Sequence, residues 1–179
     1  MNVSRMEMQR IRSAETLDKS QFTATILDHR GQFYAIAYSY LRSESDALEA
    51  LQEATFRAWS KRATLKNPLM FKTWFIRILI NICIDERRRR ERVLPFEEDQ
   101  GIVGASTEMN QDRVEMLEIL NQIKPKYRHV LLLRYYHDFT YVEIASILSR
   151  SEGTVKSWQR QGLKLLRKLM KSRGEWNNE

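Results

Sequence analysis

The stretch Thr140-Tyr-Val-Glu143-Ile-Ala-Ser-Ile-Leu148-Ser-Arg-Ser151-Glu-Gly-Thr-Val155-Lys-Ser-Trp158-Gln-Arg160-Gln-Gly162-Leu-Lys-Leu165-Leu-Arg-Lys-Leu169-Met-Lys171 contains two helices and the turn between them. Thr140 and Glu143 stand at capping-box spacing ahead of Ile144, Ala145, Ile147 and Leu148. Ser149-Arg150 makes the turn, and Ser151 is a good N-cap for a second helix over Glu152–Lys171. Two capped helices joined by a turn of about three to four residues make a helix-turn-helix. On the second helix Val155, Trp158, Gly162, Leu165 and Leu169 fall on one face. The opposite face carries Gly153, Lys156, Ser157, Arg160, Lys164, Arg167 and Lys171.

Thr154–Arg173 holds seven basic residues and no acid. Two readings of that compete, a solvated basic helix and a DNA reader. A reader needs small or polar residues in its first turns to reach base edges, and Lys or Arg further along to meet phosphates. This helix has that order, and the short capped helix ahead of it favours DNA.

Working back along the chain, helices are expected at about 112–123 and from Pro125, since Pro is tolerated in a first turn. Between Val93 and Asn110 the character changes. Pro95, Gly101 and Gly104 appear with Glu97, Glu98, Asp99 and Glu108, and Lys and Arg vanish within that stretch, which reads as an acidic linker. Before it, Phe71–Arg92 reads as one long helix. Its first half is apolar nearly all round, interrupted by Arg77 and Asn81 and continued as a polar stripe through Asp85 and Arg88. A buried helix with a hydrogen-bonded pair would explain the stripe. The run Arg87–Arg90 with Arg92 points instead to a phosphate backbone. Phe71, Trp74 and Phe75 could stack on unpaired bases, although such aromatics are more often core. Cys83 reads as a buried small hydrophobe.

Lys66-Asn67-Pro68 breaks the chain ahead of that helix, because Pro68 disfavours helical geometry at Asn67. Ser43-Glu-Ser-Asp46 caps a preceding helix with Leu48, Leu51, Thr55, Ala58 and Trp59 on one face and Glu49, Gln52, Glu53 and Arg57 on the other. Phe22, Ile26, Phe33, Ile36, Ala37 and Tyr40 predict a first helix of about 20 residues.

The bulk figures agree with an all-α chain: 179 residues, with only 6 Gly and 3 Pro. Two small domains fit that length. A net charge of +7 favours an acidic partner without choosing between nucleic acid and membrane surface. One cysteine excludes a disulfide scaffold and a Cys-based zinc site. With neither a long apolar run nor a signal-peptide pattern in Met1–Asp18, a soluble cytoplasmic protein without membrane insertion is expected. An enzyme acting on nucleic acid needs a carboxylate or His cluster. His29, His129 and His137 are scattered, so no catalytic residue, metal or cofactor is expected.

Several segments resemble the extracytoplasmic-function group of the sigma-70 family. Asp46-Ala-Leu-Glu-Ala-Leu-Gln-Glu-Ala-Thr-Phe-Arg-Ala-Trp59 is similar to its region 2.1–2.2, and Thr73–Arg90 to regions 2.3–2.4. Tyr127–Ala145 and Glu152–Ser157 resemble region 4. The resemblance implies an all-α protein of two small domains, a region 2 helical bundle at 20–92 and a region 4 helix-turn-helix at 112–174. A flexible acidic linker at 93–111 joins them, with an extension at 1–19 and a tail at 175–179.

By the same resemblance, the protein binds core RNA polymerase, at the clamp of the largest subunit and the flap of the second, and directs promoter-specific initiation. The polar face of region 2, through Asp46, Glu49, Gln52, Glu53 and Arg57, would grip the clamp. The loop Leu65–Met70, with Lys66 and Asn67, would capture a base flipped from the −10 strand, with Asn81 behind it. Phe71, Trp74, Arg77 and Arg88 complete the −10 set. Such a pocket must return the few kcal/mol that unstacking costs. Thr154, Lys156, Ser157, Arg160, Gln161 and Lys164 would read the −35 element. The linker's carboxylates would lie where nascent RNA or template later competes. A membrane-anchored anti-sigma factor is the further partner implied.

The chain departs from the family's pattern at several positions. Ala50 stands where Asp is common. Ser149 replaces the usual Gly of the turn, so residue 149 must take a less favourable backbone geometry. Trp158 and Gly162 replace a usual Arg and Ala, so −35 specificity does not transfer from relatives. The rival reading is a one-domain helix-turn-helix regulator with a helical sensing module.

Overall fold

The computed structural model describes residues 17–93 and 111–172, with the side chains of 91–93 and 111–114 left aside. The chain divides into two compact units, residues 1–102 and 103–179. Among the described residues all regular structure is helical.

The first unit contains α1 (Lys19–Asp28), α2 (Arg30–Leu41), α3 (Glu44–Lys61) and α4 (Phe71–Val93). Asp18 and Gln21 form a reciprocal capping box at the start of α1, which places its first turn at the end of the expected extension. The single long helix expected over Phe22–Tyr40 is two helices. His29 leaves helical geometry at φ −104° and ψ 5°. The Asp28-His-Arg-Gly31 step is poor in helix formers. Because α2 resumes at once, with Phe33 N–H donating to the His29 carbonyl at 3.0 Å, the apolar spacing reads through the break.

The core of this unit is aromatic on α1, α2 and α4 and small on α3. Phe33 and Phe75 are fully buried, with ring centroids 4.3 Å apart. Phe71 meets Phe22 edge-on at 5.5 Å. The buried side of α3 is Ala47, Ala50, Leu51, Ala54 and Ala58. Leu48, expected on that side, is exposed. Four alanines let α3 lie close to α2 and α4, and this rotates Leu48 and Phe56 outward. Cys83 is buried as expected, which pushes its thiol up to about 12 and leaves it protonated.

The second unit contains α5 (Gln111–Asn121), α6 (Pro125–Leu131), a π-helical turn (Leu132–Tyr136), α7 (Tyr141–Leu148) and α8 (Glu152–Ser172). α5 ends two residues earlier than expected. Leu117, Leu120, Val130, Leu133, Phe139, Ile144 and Val155 are buried in its core. α8 lies close to α6 at Gly162, where an added Cβ would stand 3.1 Å from Leu131 Cγ and Cδ1. That close approach favours Gly at a place where the family resemblance implies Ala.

Candidate promoter and polymerase interfaces

The helix-turn-helix has the local chemistry its sequence predicts. Thr140 Oγ1 accepts from Glu143 N–H at 3.3 Å, while Glu143 Oε2 accepts from Thr140 N–H at 2.8 Å, closing the capping box. Ser149 ends α7 in the left-handed region at φ 53° and ψ 52°, the cost foreseen for a non-Gly residue there. Ser151 Oγ caps α8 by accepting from Thr154 N–H at 3.1 Å. Lys156, Ser157, Arg160, Gln161, Lys164, Arg167 and Lys171 are all exposed. Lys156 makes an i,i+4 ion pair with Glu152 at 3.7 Å, and Thr154 shares a hydrogen bond with Ser151.

A feature not foreseen fixes the rotation of α8. Gln159 Oε1 accepts from the Tyr141 hydroxyl at 2.8 Å, and Gln159 Nε2 donates to the Tyr135 hydroxyl. The two tyrosines come from the π-helical turn and the start of α7, so one amide ties three elements together. Sequence spacing holds no signal for a contact between residues 24 positions apart.

In the first unit, two short 3-10 turns, Arg62–Thr64 and Pro68–Met70, carry the chain from α3 to α4. Leu65 and Phe71 are buried at 7% and 3% exposure and anchor the two ends of the loop. Both were expected to contact DNA; instead they are part of the hydrophobic packing beneath the exposed middle of the loop. Phe75 is likewise core. Lys66, Asn67, Leu69 and Met70 are exposed between the anchors, and Trp74 is half-buried. Asn67 is extended, as its place before Pro68 requires, and its Oδ1 accepts from Leu69 N–H at 3.0 Å.

Arg77, Asn81, Asp85 and Arg88 face outward as one stripe on α4, whose other faces bury Phe75, Ile76, Leu79, Ile80 and Cys83. The pair Arg77–Asn81 is therefore solvent-exposed, not an internal hydrogen-bonded pair. The run Arg87–Arg90 does not act as a unit. Arg89 donates to Glu86 at 2.8 and 2.9 Å. Arg90 pairs with Glu86 and with Asp46 across to α3. Successive residues on a helix fan around its axis, so four arginines in a row cannot all line one phosphate backbone.

On α3, Glu49, Gln52 and Arg57 are exposed and Glu53 is half-buried, pairing with Arg57 at 2.5 Å. Asp46 is not free to meet a partner in the same way, because it holds Arg90. Ala50 is 4% exposed and presents nothing outward. Leu48 and Phe56 stand out at 43% and 67% exposure, and with Leu27 of α1 they line an apolar groove beside Gln52. These apolar residues were missed, since a leucine at helical spacing reads as core.

Residues 25–93 match Sigma-70 region 2, and residues 113–166 match Sigma-70, region 4. The RNA polymerase sigma factor SigV of Bacillus subtilis is 30% identical over 150 residues, covering 83% of this chain and 90% of that protein. This chain belongs to the extracytoplasmic-function group of RNA polymerase sigma factors. The ECF RNA polymerase sigma factor SigW of Bacillus subtilis is 28% identical over 185 residues, covering 93% of this sigma factor and 99% of its own length. The RNA polymerase sigma-E factor of Streptomyces avermitilis is 32% identical, covering 72% and 73%.

Two solved structures share the fold. One is the sigma factor RpoE of Bartonella quintana in complex with the anti-sigma factor NepR (TM-score 0.70, 24% identity, 84% of this chain and 96% of that one). The other is CnrH in complex with the cytosolic domain of CnrY (TM-score 0.67, 20% identity, 91% and 97%).

The region 2 match occupies the segment that the rival one-domain reading would give to a sensing module, and displaces it. As a member of this family the protein binds RNA polymerase and directs initiation at promoters carrying −10 and −35 elements; sigma factors are not enzymes. Among the described residues no helix is long and apolar enough to cross a membrane. The acidic linker, with Glu97, Glu98 and Asp99, lies outside the described residues except at its two ends.

Proposed function

We propose that the sigma factor divides promoter reading among these surfaces as follows. Lys156, Ser157, Arg160 and Gln161 of α8, with Thr154, read the −35 element in the major groove, and Lys164 binds its phosphates. The loop around Lys66, Asn67 and Met70, with Arg77, Asn81 and Arg88 of α4 and the half-buried Trp74, takes the −10 strand. Glu49, Gln52, Glu53 and Arg57 of α3 meet the polymerase clamp, and Leu48 and Phe56 add apolar area to that contact. The region 4 domain, 112–174, docks on the flap, and 20–92 acts as the region 2 domain.

An anti-sigma factor anchored in the membrane is the further partner, with the sigma factor on its cytoplasmic side. Support for it is the family resemblance, together with the complexes of the Bartonella protein with NepR and of CnrH with the cytosolic domain of CnrY.

The observation that carries the −10 assignment is the exposure of Arg77 and Asn81 on the half of α4 that is otherwise buried or half-buried, next to a loop with buried ends. Exposed polar groups one turn apart are available to a base edge, and an amide can both donate to it and accept from it. Asn81→Ala should weaken binding of the holoenzyme to single-stranded −10 DNA, with the loss depending on one base. Fluorescence anisotropy with each of the four bases substituted in turn reads this out. Wild-type affinity for all four oligonucleotides would remove Asn81 from the site.

A further inference from the structure

Among the described residues Leu69 is the most solvent-exposed of the large apolar side chains, at 90%. Isolated surface leucines are ordinary, but this one is held in an unusual way. It sits at the tip of the Pro68–Met70 turn, whose backbone is closed by Met70 N–H donating to the Asn67 carbonyl at 3.0 Å. Pro68 restricts φ at the first position of the turn, and the Asn67 side chain accepts from Leu69's own N–H. The far end is pinned by Thr73 Oγ1 donating to the Met70 carbonyl at 3.1 Å, above the buried Phe71. The near end is pinned by buried Leu65, and by Arg62, which donates to the Trp59 carbonyl at 2.8 Å and lies over its ring. The turn is thus rigid before it meets anything.

Its surroundings suit nucleic acid. Between Glu53 and Asp85 there is no acidic residue, and Arg57, Lys61, Arg62, Lys66, Lys72 and Arg77 supply six cations. Leu27, Leu48 and Phe56 share a groove to which Leu69 does not contribute, and in the chain Leu69 lies between Lys66 and Lys72. An apolar side chain on a rigid mount amid cations is the chemistry of a wedge that enters a base step and unstacks it. Rigidity matters because a side chain that must first be ordered gives back part of what insertion gains.

We infer that Leu69 enters the base stack of the −10 element as the promoter opens, and that Asn67 is a positioning residue that acts by holding Leu69 in place. This rests on the assignment of the −10 strand to this loop. It changes the role of Asn67 from a base contact to a cap.

The test uses holoenzyme reconstituted with core polymerase, on one promoter in two forms: fully duplex, and with the −10 region already opened by mismatches. Leu69→Ala should slow open-complex formation on the duplex about tenfold or more, and run at the wild-type rate on the pre-opened form. Leu69→Phe, which keeps an apolar wedge, should retain activity on the duplex. Asn67→Ala should share the duplex-specific defect, and Asn67→Ser, which can still cap the turn, should not. Since Leu69 projects into solvent, its truncation leaves folding unaffected, and matched melting curves check this. Wild-type rates for Leu69→Ala on the duplex, or an equal loss on both forms, would overturn the wedge. Equal defects for Asn67→Ala and Asn67→Ser would overturn the positioning role. If Asn81→Ala impairs single-stranded binding while Leu69→Ala is silent, the wedge fails and the −10 assignment stands. If both are silent, the assignment fails as well.

Discussion

The two surfaces assigned to promoter DNA are built on opposite plans. In the second unit a helix of 21 residues projects long cations and short polar groups from one face, with Val155 and Gly162 buried behind. In the first unit the corresponding surface is a loop of a few residues with buried ends and an apolar tip. The difference follows from the state of the DNA each must meet. A closed duplex offers phosphates and base edges in a groove, which reaching side chains can find and which salt screens. A strand that must leave its stack has to be displaced, and displacement favours a rigid apolar element that brings little charge of its own.

The largest effect that tests this contrast is at Arg160. Arg160→Ala should lower affinity for −35 duplex by about 1–3 kcal/mol and relax preference at one base position, as expected for a bidentate contact. Lys164→Ala should weaken all sequences evenly and reduce the salt slope by about one. Both are read from binding to a set of −35 point variants across salt concentrations. A uniform loss for Arg160→Ala would make α8 an electrostatic surface without sequence reading, and the contrast would then rest on charge alone.

A smaller effect probes the helix-turn-helix itself. Ser149 holds φ 53°, which costs a residue with a Cβ about 1 kcal/mol or more. Ser149→Gly should raise the stability of the second unit by about 1 kcal/mol or slightly less, once the added freedom of the unfolded chain is counted, with −35 affinity unchanged. Thermal unfolding and binding measured together check it. A gain in stability with a loss of affinity would show that the strained turn aims the reading helix.

The smallest effect concerns the ion cluster that holds α3 against α4. The Glu86 carboxyl lies below its ordinary value, chiefly because Arg89 hydrogen-bonds to it and then because Arg90 does. A depressed carboxyl contributes stability above the ordinary carboxylate range and loses it as pH falls through the folded-state value. Screening by solvent keeps the contribution below about 1 kcal/mol. Unfolding followed from pH 7 down to about 3 should therefore show a steeper acid loss for the first unit in wild type than in Glu86→Gln. Identical acid limbs would mean that the cluster sets geometry without adding stability.

Features that depend on neighbours a few residues apart can be read directly from the order of residues. The capping box at Thr140–Glu143, the cap at Ser151, the left-handed turn at Ser149 and the outward cations of α8 were all legible, because a helix repeats its faces every three to four residues. The extended Asn67 and the polar stripe through Arg77 and Asn81 were legible from near neighbours too, but only the folded domain decided that the stripe faces solvent. Tertiary packing decided what remained. Four small alanines on α3 turned its larger apolar residues Leu48 and Phe56 outward, which no spacing rule reveals. Leu65 and Phe71 went inward while Leu69 between them stayed out, because loops have no period from which to read a face. Asp46 and Arg90 found one another across two helices, as did Gln159 and the two tyrosines. Each of these is a contact between residues far apart in the chain, and only the folded backbone brings them within reach.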